Sequence, residues 1–151
     1  MAKGELTSYD AAEVTISLAG QPLDSGLTDG EFLGIEAASE DWQTKVGADG
    51  SVVRYKTNDR RATITLTLMQ TSSGNDLLSQ LREADLTANN GAGVGAFIAR
   101  DLGGRTVARA QAAWVKKAPK ISRGKEAGEV AWELECAALE ITVGGSTRFG
   151  T

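Results

Sequence analysis

Glu133 and Glu135 share one side of the alternating segment Glu129 to Leu139, and strand geometry sets them about 7 Å apart. That separation overlaps the one at which two carboxylates activate a water and protonate a leaving group. A hydrolase of this kind also needs a cleft lined by aromatic and polar groups, whereas aromatic residues make up 5% of the chain. The pair therefore reads as an acidic sheet face. Gly91-Ala92-Gly93-Val94-Gly95-Ala96 matches a dinucleotide fingerprint in its letters. That motif works only with a strand before it and a helix after it, and here a helical pattern precedes and an extended one follows, which leaves a turn. Lys116, Lys117, Lys120, Arg123 and Lys125 could meet phosphates. They lack interleaved aromatic stacking platforms, and they read as a solvated or protein-docking loop. Cys136 falls on the side of Trp132 and Leu134, as a small core residue and not a nucleophile.

Composition narrows the chemistry further. The 151 residues include no His and one Cys, which excludes Ser-His and Cys-His pairs, imidazole ligands and an internal disulfide. A lone thiol fits a reducing compartment. Nothing calls for a cofactor or a metal. The 16 basic and 20 acidic residues leave a net charge of −4, so general nucleic-acid binding is not expected. Eighteen glycines, against a typical frequency of about 7%, point to many tight turns. Length and hydrophobic content fit one domain over residues 1–151. No apolar run is long enough for a signal segment or a bilayer span.

The elements that position these residues are strands, one helix, then strands. Val14 to Leu18 alternates with period two, and Gly20 and Pro22 end it. Glu31 to Ala37 is a second extended stretch. Trp42 to Val46 and Ser51 to Thr57 flank Gly47-Ala48-Asp49-Gly50, a hairpin turn signal. This arm, about residues 40–61, is rich in charge (Glu40, Asp41, Lys45, Asp49, Arg54, Lys56, Asp59, Arg60, Arg61) and poor in aliphatic residues. It is either a solvated flap or an arm that docks on another subunit. In Ala62 to Gln70, Ile64, Leu66 and Leu68 take one face and Thr63, Thr65 and Thr67 the other. Ser73 and Asp76 form a capping signal for a helix over about 74–86, with Leu77, Leu78, Leu81 and Ala84 as its apolar stripe. Val94 to Arg100 and Thr106 to Lys116 form a further hairpin around Gly103-Gly104, with Ala108, Ala110, Ala112 and Trp114 on one face. The tail at about 144–151 is Gly-, Ser- and Thr-rich, and an assembly is expected to hold it down.

The stretch VGADGSVVRYKTNDRRATITLTLMQTSSGNDLLSQL, Val46 to Leu81, resembles the tail tube proteins of contractile-tailed bacteriophages. It has a charged hairpin, a Thr-alternating strand and a capped helix in that order. SYDAAEVTISLAGQPL resembles the family's first strand, and AWVKKAPKISRGKEAGEVAWELECA its closing pair. At Arg61-Ala62 a smaller polar pair is expected, and no functional consequence attaches to the difference.

The resemblance implies a mainly antiparallel β-sandwich or barrel with one flanking α-helix, six copies of which close into a ring, with rings stacked into a hollow tube. If each copy adds about four strands, a barrel at about 4.8 Å spacing and a tilt near 40° has a backbone diameter of about 45–50 Å. That is wide enough for a DNA duplex. Glu133, Glu135, Thr63, Thr65 and Thr67 are then expected toward the lumen, where an acidic or neutral wall adheres little to DNA. Trp42, Lys45, Asp49, Arg54, Lys56, Asp59, Arg60 and Arg61 are expected at contacts between subunits or rings. Lys116, Lys117, Lys120, Arg123 and Lys125 form a candidate contact loop. Implied partners are further copies, a tail sheath protein outside, a tape measure protein and then DNA inside, and a baseplate and tail terminator at the ends. The product would sit in the virion after synthesis in the bacterial host cytoplasm. Open alternatives are a tube of a genome-free phage-like device (a bacteriocin or secretion apparatus), a carboxylate enzyme and a monomeric ligand-binding barrel.

Overall fold

Alternation alone dictates the longest apolar stripe: Ala62, Ile64, Leu66 and Leu68 are buried, each 1% exposed or less, while the residues between them are not buried. The computed structural model describes residues 4, 6–23, 25–145 and 148–149. In chain order it contains β1 (Thr7–Ser8), a 3₁₀ turn (Ala11–Glu13), β2 (Val14–Leu18), β3 (Gln21–Pro22), β4 (Leu33–Ala37), β5 (Trp42–Val46) and β6 (Val52–Lys56). β7 (Ala62–Met69), α1 (Gly74–Thr87), β8 (Gly95–Asp101), β9 (Val107–Lys117), β10 (Glu129–Cys136), β11 (Leu139–Thr142) and β12 (Arg148–Phe149) follow.

Eight strands form one antiparallel sheet in the order β3-β2-β8-β9-β10-β7-β4, with β11 also paired to β9. The sheet wraps a core of Ile16, Leu18, Leu23, Ile64, Leu66, Leu68, Phe97, Trp132 and Leu134, closed on one side by Leu78 of α1. Leu77 and Leu81 of the expected stripe pack against it half-buried. Cys136 is buried in the same cluster, and burial pushes its thiol up from the ordinary value. The mainly antiparallel architecture with a flanking helix is thus the one expected.

Three local expectations change. Ser73 makes no side-chain cap bond, because its backbone is already helical (φ −67°, ψ −17°), whereas a capping residue needs an extended backbone to reach the first N–H groups. Ser72 takes that role: its hydroxyl accepts from Gly74 N–H at 3.1 Å and donates to Ser25 C=O at 2.8 Å. The helix start is tied to the core as well, since Trp132 Nε1 donates to Asn75 Oδ1 at 2.8 Å.

The second change is on β9. A bulge between the Phe97–Ala110 and Gly95–Ala113 pairs breaks the alternation, so Ala113 follows Ala108 and Ala110 into the core, and Trp114 lies opposite Glu135 on the other face. The last strand is also divided: β10 ends at Cys136, and β11 starts at Leu139 to pair with the first half of β9.

The third concerns the tail. Arg105 N–H donates to Gly145 C=O at 3.0 Å, Thr106 Oγ1 to Gly144 C=O at 3.0 Å, and β12 pairs with β1. Among the described residues the tail is thus fastened to its own chain, where an assembly was expected to hold it. Residues 146, 147, 150 and 151 of that tail lie outside the described ones.

Candidate assembly surfaces

The non-core face of β7 and β10 is built by register. Thr63 stands opposite Glu135 and Thr65 opposite Glu133, while on the other side of β7 Thr63 meets Glu36 and Thr65 meets Gly34. All five residues singled out in the sequence therefore share one face. Its charge is partly neutralised in place: Lys117 Nζ lies 3.4 Å from Glu133 Oε2 and Lys116 Nζ 3.9 Å from Glu133 Oε1. Both lysines belong to the end of β9 and not to the loop that follows. Lys120, Arg123 and Lys125 are exposed in the irregular segment between β9 and β10, where Arg123 Nη1 donates to its neighbour Ser122 C=O at 3.0 Å.

The β5–β6 hairpin is the opposite kind of surface. Every residue of both strands is exposed, including Val46 (65%), Val53 (61%) and Tyr55 (50%). Its turn is closed by Gly50 N–H donating to Gly47 C=O at 3.0 Å and by the Asp49 carboxylate accepting from Ser51 N–H at 2.9 Å, a bond that lowers the Asp49 pKa. Gly50 has φ +87°, a left-handed turn position that suits glycine. On one side of the hairpin the Arg54 guanidinium lies 3.9 Å from the centre of the Trp42 ring, and on the other Tyr55 OH donates to Gln43 Oε1 at 2.8 Å.

The root of the hairpin is braced within the chain. Arg61 donates three times to Asp59, from its backbone N–H at 3.1 Å, Nε at 2.9 Å and Nη2 at 2.8 Å, and Ser39 Oγ adds a fourth bond to the same carboxylate at 2.8 Å. The Arg61 guanidinium, followed by Ser39, holds Asp59 far below the usual carboxylate range. Arg60 Nη1 donates to Thr57 C=O at 2.8 Å and lies 3.5 Å from Asp41 Oδ1.

Two concavities flank these surfaces, and sequence reasoning missed both. One, of about 510 Å³, lies over Gly34 and is lined by Glu31, Glu36 and the three threonines. The other, of about 930 Å³, lies between the hairpin root and β8, β9 and β11, with Lys56, Arg60, Arg100, Arg105 and Arg109 against Asp41 and Glu140. Period-two spacing in the β8 and β9 segments could have signalled Arg100 and Arg109. The Glu31 concavity depends on cross-strand register, which single-strand patterns do not carry. Among the described residues, no helix is long and apolar enough to cross a membrane.

A family model described as bacteriophage PhiTE tail tube protein matches residues 6–144. Structural protein ORF10 of Pseudomonas phage KPP10 is 23% identical over 150 residues, covering 96% of this chain and 87% of that protein. Among solved structures, the fold is shared with the tube-terminating cap of the anti-feeding prophage, at TM-score 0.60 and 9% identity, over 94% of this chain and 95% of the cap.

Proposed function

The chain belongs to the bacteriophage PhiTE tail tube protein family, and on that premise we propose that six copies close into a ring and that stacked rings form the inner tube of a contractile tail, the channel for DNA at ejection. The whole chain acts as one tail-tube domain, a structural virion component and not an enzyme, made in the bacterial host cytoplasm. A sheath protein covers the tube, a tape measure protein and then DNA occupy it, and a baseplate and terminator close its ends.

The observation that carries this reading is the hairpin. It presents Trp42, Val46, Val52, Val53 and Tyr55 to solvent on a projection that buries none of its residues against its own chain. Exposed apolar surface on a long, unpaired ribbon is a liability in a monomer and an interface in an assembly. The hairpin residues, with Asp59, Arg60 and Arg61 at its root, contact neighbouring subunits or the next ring, and the exposed Lys120, Arg123 and Lys125 supply a second contact.

Toward the lumen go Glu133, Glu135, Thr63, Thr65 and Thr67. DNA carries about one negative charge per 1.7 Å, so free lysines on that wall would retard it. The Glu133 ion pairs occupy Lys116 and Lys117, which leaves a wall of hydroxyls and compensated charge that adheres weakly. Electron microscopy of the purified protein tests the proposal: rings or tubes are expected, and a protein that stays monomeric at high concentration overturns it.

A further inference from the structure

Resting on that self-assembling role, we propose that the hairpin's receptor is the open edge of β4 on a second copy, where β5 adds as an antiparallel strand and Lys45 enters the concavity over Gly34. Among the described residues, β4 is the last strand of the sheet and pairs only with β7. Thr67 N–H donates to Phe32 C=O at 2.9 Å and Ala38 N–H to Arg61 C=O at 2.9 Å, at the two ends of this ladder. Antiparallel bonding alternates along a strand, so Leu33, Ile35 and Ala37 turn their backbone groups to the open edge. In the hairpin, Thr57 N–H to Asp41 C=O and Gly47 N–H to Ser51 C=O, both 2.8 Å, fix the same alternation. Trp42, Thr44 and Val46 are thereby the residues of β5 whose backbone groups face outward. Three outward residues meet three in one register: Val46 with Leu33, Thr44 with Ile35 and Trp42 with Ala37.

Side-chain chemistry agrees with this register. Residues opposite each other in an antiparallel pair share a face, which places Trp42 and Val46 beside the half-buried Leu33 and Ile35 on the core side of β4. Lys45 then lies opposite Gly34 on the other side. A Cβ on Gly34 would lie 3.1 Å from Glu31 Oε1, so glycine leaves a space roofed by that carboxylate, with Glu36 beside it. Neither Glu31 nor Glu36 shares the concavity with a cationic side chain. The alternative strand, β6, would set Val53 and Tyr55 against these carboxylates. The larger concavity at the hairpin root disfavours the hairpin, because its five cations outnumber its two carboxylates and the hairpin from Trp42 to Lys56 carries Lys45, Arg54 and Lys56 against Asp49.

The partner is a second molecule because of the root. The Ala38–Arg61 and Asp41–Thr57 backbone bonds and the Ser39–Asp59 bond carry the β4–β7 ladder into the β5–β6 ladder. β5 thus runs on from β4 and cannot lie beside it in the same chain. Addition at the edge brings Lys45 over the threonines, where Glu31 and Glu36 meet its charge, so the wall keeps the compensated charge that the lumen reading needs.

The test is a disulfide between Lys45→Cys and Gly34→Cys in a Cys136→Ala background, formed by mild oxidation of assembled protein. A ladder of covalent oligomers is expected, together with at least a tenfold loss of assembly in Lys45→Glu and its recovery in Lys45→Glu/Glu31→Lys. Lys45 and Glu31 are exposed, so an unchanged melting temperature checks that folding is intact. A disulfide confined within monomers, or tubes that form without a ladder and tolerate Lys45→Glu, overturns the inference while leaving the tube reading standing. Failure of the unsubstituted protein to assemble strikes the tube reading instead.

Discussion

β7 and the β5–β6 hairpin are both antiparallel β-structure rich in β-branched residues, yet they put them to opposite uses. In β7 every second side chain is buried against the core, and the strand is paired on both edges, to β10 and β4. In the hairpin each strand has one partner and all ten residues are exposed. The contrast separates two kinds of information in one chain. Residues that make the subunit fold are recognised by burial, and residues that make it associate are recognised by apolar surface that its own fold leaves uncovered.

The largest effect that sharpens this contrast comes from the core. Leu66 is fully buried and lies opposite Trp132 and Leu33 across the two ladders. Leu66→Ala should cost about 2–5 kcal/mol, a fall of roughly 5–15 °C in melting temperature for a domain of this size, read by thermal denaturation. The hairpin should respond in reverse. Replacing residues 45–53 with a short Asn-Gly turn should leave the melting temperature within about 2 °C, because no buried contact is lost, while lowering tube yield at least tenfold by electron microscopy. Normal tubes from the shortened protein would break the comparison.

A smaller and more specific effect belongs to the sheet face. Glu133→Lys with Glu135→Lys removes the partner of Lys116 and Lys117 and adds two cations facing the threonines. Rings should still assemble, since neither side chain belongs to the core cluster, while DNA delivery falls in an infectivity assay. Unchanged infectivity would remove electrostatic adhesion as the property that selects this face.

What could be read from the sequence divides along the same line. Period-two alternation located β7 and β10, and the Asp49-Gly50 turn located the hairpin, because those signals are local. The bulge in β9 was not legible: Ala112 and Ala113 are identical in type, and only the pairing with Gly95 and Phe97 decides which one enters the core. The helix cap passed from Ser73 to Ser72 for a similar reason, since the hydroxyl position depends on Ser25 in a distant segment. At the candidate surfaces, the alternation of Glu133 and Glu135 with apolar residues was visible. Their juxtaposition with Lys117 and Thr63, and the concavity over Gly34, follow from register between strands far apart in sequence.

The smallest effect lies where the two regions join. Asp59 ties the hairpin root through Arg61 and Ser39, and those hydrogen bonds hold its carboxyl below the ordinary value near 3.9. A carboxylate with a depressed pKa in the folded state stabilises that state fully above its unfolded pKa. The contribution falls away as pH drops from there through the folded pKa, where the folded protein also takes up the proton. Asp59→Asn should therefore melt slightly below the unsubstituted protein at pH 7, with the same gap at pH 5.5 and a narrowing gap only below about pH 4. The carboxylate is partly exposed, so the gap should also shrink in high salt. If the root serves only to aim the hairpin, this substitution should lower assembly more than it lowers the melting temperature. A loss confined to melting temperature, with tubes forming normally, would assign Asp59 to the folding region and move the boundary between the two regions out along the hairpin.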